Sequence, residues 1–138
     1  MNVSDVMTKN PRTIAPNDSI QRAASIMKEV DTGFVPIVEN GKVVGVVTDR
    51  DIVIRAVAAG SFDKPVSEIA TTELVSVSSG ATTREAEKLM SERQVRRIAV
   101  IDNGRLVGIV SLGDIAVKEG KDSRTGATLE NISEGVKH

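Results

Sequence analysis

The sequence contains an internal repeat that covers most of its length. The heptapeptide GVVTDRD at residues 45–51 recurs as GIVSLGD at residues 108–114, 63 positions later. The same offset relates residues 3–52 to residues 66–115 without a gap. Such a repeat indicates a supersecondary unit that buries its apolar face against its own copy. Because a half of about 55–60 residues is marginal as an isolated fold, we expect the halves to pack sheet against sheet about a pseudo-twofold axis.

Local patterns predict the same elements in both halves: a helical turn, a short strand, a helix, two strands and a second helix. Asn-Gly dipeptides at 40–41 and 103–104 separate apolar runs, which is the strongest short-range signal for a hairpin. The first long helix is predicted to begin at Ser19 or Asp18 and the second at Thr82, where Glu85 completes a capping box. The predicted fold class is therefore α+β, a tandem repeat of two β-α-β-β-α units with their sheets packed together.

The repeat divides the chain into a first unit at residues 1–60, a linker at 61–65 and a second unit at 66–120. Residues 121–138 are then a polar tail, in which residues 128–132 could form a short helix.

The predicted helix at 51–59 carries more apolar surface than one packing partner requires. Its residues 52–59 are apolar nearly all round. This surface is either an oligomer contact or part of the core, and the sequence leaves both alternatives open.

Composition excludes several classes of site. The chain has no cysteine, and its single histidine is the last residue, His138, so neither a His/Cys metal site nor a Ser–His pair is expected within one chain. A net charge of −1 and only two aromatic residues argue against nucleic-acid binding. No apolar run is long enough to span a bilayer, and the N-terminus lacks a signal-peptide pattern. We therefore expect a cytoplasmic protein without membrane contact.

The repeated heptapeptide combines groups that suit a nucleotide site. A glycine within a strand marks a close approach to the backbone, and a helix N-terminus beside Thr48 or Ser111 favours an anion such as phosphate. Three residues on, Asp51 or Asp114 could accept hydrogen bonds from the vicinal hydroxyls of a ribose. Ser/Thr-x-x-Asp is also the pattern of a capping box, which needs no ligand. On the residues alone, both interpretations stay open.

The strand, Asn-Gly turn, strand and Gly-x-x-Thr/Ser-x-x-Asp pattern, found twice, resembles a pair of CBS domains, the Bateman module, over residues 1–118. The resemblance implies a regulatory module that binds an adenosyl compound such as AMP, ADP, ATP, S-adenosylmethionine or an NAD-type dinucleotide in clefts between the repeats. It implies no catalysis, no catalytic cofactor and no metal. It also implies a homodimer shaped as a flat disc, which acts on a protein target that the sequence does not name.

The resemblance assigns roles to residues by position. Asp51 and Asp114 would hold the ribose hydroxyls, while Thr48 and Ser111 would meet ribose or phosphate oxygens. Backbone groups for the adenine edge would come from Thr13, Ile14, Ser76 and Val77. The walls of the adenine pockets would be Gly33, Phe34, Val35 and Pro36 in the first copy, and Arg96, Arg97, Ile98 and Ala99 in the second.

The two copies differ where they would meet the base and the phosphate. Phe34 aligns with Arg97, and Arg50 aligns with Gly113. We therefore predict unequal sites. The first, with Phe34 for the base and Arg50 for phosphate, would hold the more phosphorylated ligand, and the second would rely on Arg97.

Two other functions are alternatives to ligand binding. A scaffold or dimerisation protein would have the same fold with unoccupied clefts, and nucleotides would not stabilise it. A nucleotide hydrolase is disfavoured because the chain has no Walker-type loop and nothing orients a general base on the Thr48 hydroxyl.

Overall fold

The structure, a computed structural model, describes residues 1–119. The predicted tail at 121–138, with its helix at 128–132 and His138, lies outside the described residues. The first half contains α1 (Val3–Val6), β1 (Thr8–Lys9), α2 (Ile20–Val30), β2 (Phe34–Glu39), β3 (Lys42–Thr48) and α3 (Asp49–Asp51), which continues as a π-helix over Ile52–Val57. The second half contains a 3-10 turn (Val66–Glu68), β4 (Ser76–Val77), α4 (Thr83–Arg93), β5 (Arg97–Asp102), β6 (Arg105–Ser111) and α5 (Leu112–Lys118).

The α+β fold class and the twofold repeat are confirmed. β2 with β3, and β5 with β6, form antiparallel hairpins that each contain one register shift, at matching positions. Asn40 and Gly41 have φ angles of 53° and 79°, and Asn103 and Gly104 have φ angles of 54° and 80°. Positive φ at both turn residues is the type I′ geometry, which matches the twist of the flanking strands.

Side-chain caps fix the starts of the two long helices. The Ser19 hydroxyl accepts a hydrogen bond from the Arg22 N–H at 3.0 Å. Thr82 and Glu85 form the reciprocal capping box, in which each side chain accepts from the other residue's N–H. Both predicted helix starts are confirmed.

The two halves exchange the edges of their sheets. β1, from the start of the first half, pairs with β6 of the second half and aligns Thr8 with Ile109. At the equivalent position of the second half, Thr71 forms an antiparallel bridge with Val46 of β3. The four-stranded sheet has the order β1-β6-β5-β4, and bridges from Thr71 and Ile14 extend the β2–β3 hairpin in the matching order.

The hydrophobic cores cross the repeat boundary in the same way. One core combines first-half residues with Val66 and Ile69 from the start of the second half. The other combines second-half residues with Val3 and Val6 from α1. Neither half completes its core without the first helical turn of the other, which is consistent with the small size of each half.

Gly45 and Gly108 lie where the exchanged edges approach the sheets. A Cβ at Gly108 would lie 2.8 Å from the Thr8 carbonyl oxygen and 2.7 Å from Met7 Sδ. A Cβ at Gly45 would lie 3.1 Å from the Thr71 carbonyl oxygen. The close approach predicted from these glycines is confirmed, but the approaching groups are the backbone of the exchanged edges and, at Gly108, the Met7 side chain.

The apolar helix of the first half is divided between core and solvent. Ala56 is fully buried, whereas Val53, Ile54 and Val57 are 55%, 53% and 51% exposed. The alternative in which all of this apolar surface belongs to the core is therefore wrong, and one face of the helix is open to solvent.

Candidate functional site

Two clefts lie between the halves, and their linings match at the repeat offset. The first cleft, of about 300 Å³, is lined in part by Thr48, Thr71, Leu74 and Val95. The second cleft, of about 370 Å³, is lined in part by the repeat equivalents Ser111, Thr8, Pro11 and Thr32. Both volumes are at the lower end of the range for small-molecule sites, about 300–1,000 Å³.

Phe34 and Arg97 line both clefts. They are repeat equivalents, the first residues of β2 and β5, and each pairs across its hairpin with a helix-capping residue: Phe34 with Thr48, and Arg97 with Ser111. Directly opposite residues in an antiparallel pair project from the same face of the sheet. Because both side chains line both clefts, the prediction that Phe34 serves one site and Arg97 the other is corrected. Repeat-related side chains that line the same two clefts lie near the pseudo-twofold axis.

Asp51 is fully engaged in structural hydrogen bonds. The Thr48 N–H donates to Asp51 Oδ2 at 2.9 Å, and the Asp51 N–H donates to Thr48 Oγ1 at 3.1 Å. The Thr71 hydroxyl donates to the same carboxylate at 3.1 and 3.2 Å, and Arg55 Nε lies 3.9 Å from Oδ1. Asp51 is 7% exposed and does not line the first cleft. At this position the capping interpretation accounts for the carboxylate.

Asp114 forms the same capping box with fewer bonds. The Ser111 N–H donates to Asp114 Oδ2 at 3.3 Å, and the Asp114 N–H donates to Ser111 Oγ at 2.9 Å. Within residues 1–119, the Thr8 hydroxyl does not repeat the bond that Thr71 makes to Asp51, and Asp114 lines the second cleft. Its Oδ1 atom has no hydrogen-bond partner in the described part of the chain and can accept from a ligand.

The start of α3 is not an open anion site. The Arg50 N–H donates to the Asp49 carboxylate at 2.8 Å, and the Asp51 N–H donates to Thr48. A Cβ on Gly33 would lie 2.6 Å from Asp49 Oδ2, so this carboxylate covers the start of the helix. The prediction that phosphate binds free N–H groups beside Thr48 is corrected, because an acidic side chain already occupies that position.

The two clefts differ in charge. The charged residues that line the first cleft are Arg50, Arg96, Arg97, Asp49 and Glu73. Those that line the second cleft are Arg12, Arg97, Asp31 and Asp114. No arginine side chain of the first cleft has an ion pair within residues 1–119, whereas Arg12 pairs with Glu29 at 3.0 Å. The first cleft is therefore the more positive and the better suited to an anion.

Several predicted base contacts lie in the cores. Among the predicted base contacts, three have no exposed surface: Val35, Ile98 and Ala99. Pro36 is also buried. Both backbone groups of Ile14 are paired with β2: its N–H donates to the Pro36 carbonyl oxygen at 3.0 Å, and its carbonyl oxygen accepts from the Val38 N–H at 2.9 Å. These assignments are corrected, because buried side chains and paired backbone groups do not face either cleft.

Thr13, Ser76, Val77 and Gly113 line neither of the two clefts. Ser76 and Val77 form β4, which pairs in parallel with β5, so the backbone groups that face β5 are already hydrogen-bonded. The role of Thr13, Ser76 and Val77 at the adenine edge stays a prediction, as does Gly113 as a nucleotide-binding residue.

The exchanged edges contribute residues that the sequence interpretation did not include. Thr71 and Leu74 line the first cleft, and Thr8 and Pro11 line the second. The repeat contained one signal for them, since Thr8 and Thr71 are identical residues at the common offset. The Thr71 hydroxyl reaches Asp51 of α3, and Thr8 lies beside β6, only because the edges are exchanged.

Neither a metal cluster nor a membrane helix occurs in the part of the chain that the structure describes. Residues 1–119 contain no group of three or more His, Cys, Asp or Glu side chains placed to hold a metal. No helix in the same range has the length and apolar character needed to cross a bilayer.

Comparison with known proteins identifies close relatives of nearly the same length. The profile of the CBS domain matches residues 3–57 and 66–118. The CBS domain-containing protein YhcV of Bacillus subtilis (strain 168) is 45% identical over 132 residues, which cover 95% of this chain and 94% of that protein.

Solved structures agree with the fold. The CBS domain pair of protein MJ0100, in complex with 5′-methylthioadenosine and S-adenosyl-L-methionine, matches with a TM-score of 0.81 at 31% identity, over 89% of this chain and 98% of that chain. Hypoxic Response Protein I, with two coordinated zinc ions, matches with a TM-score of 0.78 at 36% identity, over 85% of this chain and 98% of that chain. The profile matches and these similarities coincide with the repeated units of the fold. The chain therefore belongs to the CBS-domain family and carries two CBS domains in tandem.

Proposed function

We propose that this protein is a regulatory module that binds adenosyl ligands in the clefts between its two CBS domains and catalyses no reaction itself. The observation that carries the proposal is the pair of repeat-related clefts that share Phe34 and Arg97. The MJ0100 domain pair, which is 31% identical, holds two adenosyl compounds, and this supports the same ligand class here.

The second cleft suits the nucleoside part of such a ligand. The free oxygen of Asp114 can accept a hydrogen bond from a ribose hydroxyl, and the Ser111 hydroxyl can still donate one. Phe34 is partly buried and provides an aromatic surface for adenine. Arg97 adds a planar guanidinium that can stack on a base or pair with a phosphate.

The first cleft suits the more phosphorylated ligand. Arg50, Arg96 and Arg97 can make charge-assisted hydrogen bonds to phosphate oxygens. Because the Asp51 carboxylate is already bonded, recognition of a ribose diol is weaker here. We therefore assign AMP, ADP or ATP to this cleft in preference to S-adenosylmethionine, with an NAD-type dinucleotide as a further anionic candidate.

The proposal includes a homodimer in the cytoplasm. Val53, Ile54 and Val57 present an exposed apolar face, and contiguous apolar surface of this kind indicates an interaction site. A ligand would change the contact with a protein target by binding one arrangement of the module more tightly than another.

One observation favours a scaffold with unoccupied clefts as the second candidate. The Asp51 carboxylate already receives the Thr48 N–H and the Thr71 hydroxyl. A cleft whose acid is used for structure needs no ligand to satisfy it.

Thermal unfolding separates the two candidates. A binding module gains stability with AMP, ADP, ATP, S-adenosylmethionine or NAD, by about 2.7 kcal/mol at a ligand concentration 100 times Kd. CMP, which lacks adenine, is the control and should give a smaller gain. A scaffold would show the same unfolding midpoint with every compound, and that result would reject the proposal. Analysis of the recovered nucleotides should find them unchanged.

A further inference from the structure

Arg97 is a single cation placed between two binding sites. It lines both clefts, and its guanidinium has no ion pair or hydrogen bond to any of residues 1–119. It begins β5 and is opposite Ser111, so its backbone position is fixed by the hairpin. The free end of the side chain is the part that a ligand can recruit.

We propose that Arg97 couples the two clefts, so that a phosphorylated ligand in the first cleft draws the guanidinium there and disfavours a second anion in the other cleft. This inference rests on the proposed function and adds a rule for which pairs of ligands bind together.

The charges of the second cleft give the coupling its direction. Without Arg97, the second cleft keeps Arg12, which is already paired with Glu29, and the acids Asp31 and Asp114. A phosphate there would meet two carboxylates without a free cation, and like charges at this range disfavour binding.

The first cleft is less dependent on the shared residue. It keeps Arg50 and Arg96 whether or not Arg97 is engaged. Anions therefore bind first in the first cleft, and Arg97 moves toward them because its charge adds to the other two. The favoured pair is one phosphorylated adenosyl ligand in the first cleft and one uncharged or cationic adenosyl ligand in the second.

Each cleft can be observed separately with a fluorescent reporter. The chain contains no tryptophan or tyrosine, so one introduced tryptophan gives the whole signal. Leu74→Trp places the reporter in the first cleft, and Pro11→Trp places it at the repeat-equivalent position of the second. Neither substitution changes the charge. AMP serves as the anionic probe and adenosine as the uncharged probe.

The decisive variant is Arg50→Ala, because Arg50 lines the first cleft and not the second. It should weaken AMP binding at the Leu74→Trp reporter. At the Pro11→Trp reporter it should strengthen AMP binding about fivefold or more, which is the lower end of typical coupling between sites. Adenosine affinity in the second cleft should not change, and Arg50→Lys, which keeps the positive charge, should shift AMP binding at both reporters less than Arg50→Ala does. Adding Arg97→Ala should remove the effect of Arg50→Ala on the second cleft.

Two results would overturn the inference in different ways. If Arg50→Ala weakens AMP in the first cleft and leaves AMP affinity in the second unchanged, the clefts are independent and only the coupling is wrong. If neither reporter responds to AMP or adenosine, the proposed function fails together with the coupling.

Discussion

The Thr71 hydroxyl donates a hydrogen bond to the Asp51 carboxylate, with oxygen–oxygen distances of 3.1 and 3.2 Å. The two residues belong to different sequence repeats, and the bond exists because the halves exchange sheet edges. The equivalent pair, Thr8 and Asp114, does not form this bond within the described residues. The bond from Thr71 thus makes Asp51 a structural residue. Because Thr8 makes no such bond, Asp114 stays open to a ligand.

Replacing Thr71 with valine should destabilise the fold. The change keeps the side-chain shape and removes a hydrogen bond to a charged group, a loss of about 1.5–3 kcal/mol in the free energy of unfolding. Urea unfolding measures it. Thr8→Val is the matched control, because this exposed side chain has no hydrogen bond within residues 1–119, and we expect a change within about 0.5 kcal/mol. Equal losses for the two variants would contradict the asymmetry.

Alanine at Gly108 should be more destabilising than alanine at Gly45. The new Cβ would lie 2.8 Å from the Thr8 carbonyl oxygen in the first case and 3.1 Å from the Thr71 carbonyl oxygen in the second. Overpacking of this kind costs about 1–3 kcal/mol. The control is Gly80→Ala, where no atom lies within 4 Å of the new Cβ. If Gly108→Ala unfolds at the same urea concentration as Gly80→Ala, the exchanged edge is not packed as described.

Asp102 should give the protein a component of acid sensitivity. The Ser79 hydroxyl, at 2.6 Å, and the Ser79 N–H, at 3.0 Å, both donate to its carboxylate and hold the pKa of Asp102 below its usual value. In the unfolded chain the pKa returns to about 3.9. The stabilisation is therefore present above that value and is lost as the pH falls through the lower pKa of the folded state.

Thermal midpoints measured from about pH 5 down to about pH 2 test this dependence, because the loss begins near the unfolded pKa of about 3.9 and continues below it. Ser79→Ala and Asp102→Asn should lower the midpoint at neutral pH and flatten its fall in acid. The control is Glu39→Gln at the repeat equivalent of Asp102. The Glu39 carboxylate makes no hydrogen bond in the described range, so this variant should show the same fall of the midpoint in acid as the parent protein. An unchanged acid profile for Asp102→Asn would refute the assignment.

The exposed helix face should control self-association. Ile54→Lys places a charge in the apolar face formed with Val53 and Val57, and we expect the mass measured by light scattering to fall from dimer to monomer. Val44→Lys, at an exposed apolar position in β3, should leave the mass unchanged. A monomeric parent protein, or a dimeric Ile54→Lys variant, would reject this interface.

The local parts of the fold could be predicted because their signals are local. The type I′ turn at Asn40-Gly41 and the capping box of Thr82 with Glu85 each depend on residues no more than three positions apart. The repeat itself was visible as a constant offset. These features gave the elements, their order and the pairing of the halves.

The exchange of sheet edges between the halves could not be predicted from local sequence signals. The bond between Thr71 and Asp51 joins residues 20 positions apart, and no periodicity distinguishes it from a bond within one half. For the same reason, the sequence alone predicts separate sites for Phe34 and Arg97. Only the packing of the two halves brings both side chains to both clefts.

Calorimetric titration of adenosine into the full chain tests the central claim most directly. Asp114→Asn should weaken binding about tenfold or more, since a hydrogen bond to a charged group contributes about 1.5–3 kcal/mol, and 2′-deoxyadenosine should bind the parent protein correspondingly less well. Asp51→Asn, the repeat-equivalent change, should lower the stability to urea while affecting adenosine affinity far less. If adenosine binds Asp114→Asn as tightly as the parent protein, or gives no heat with either, the assignment of the second cleft to an adenosyl ligand is contradicted.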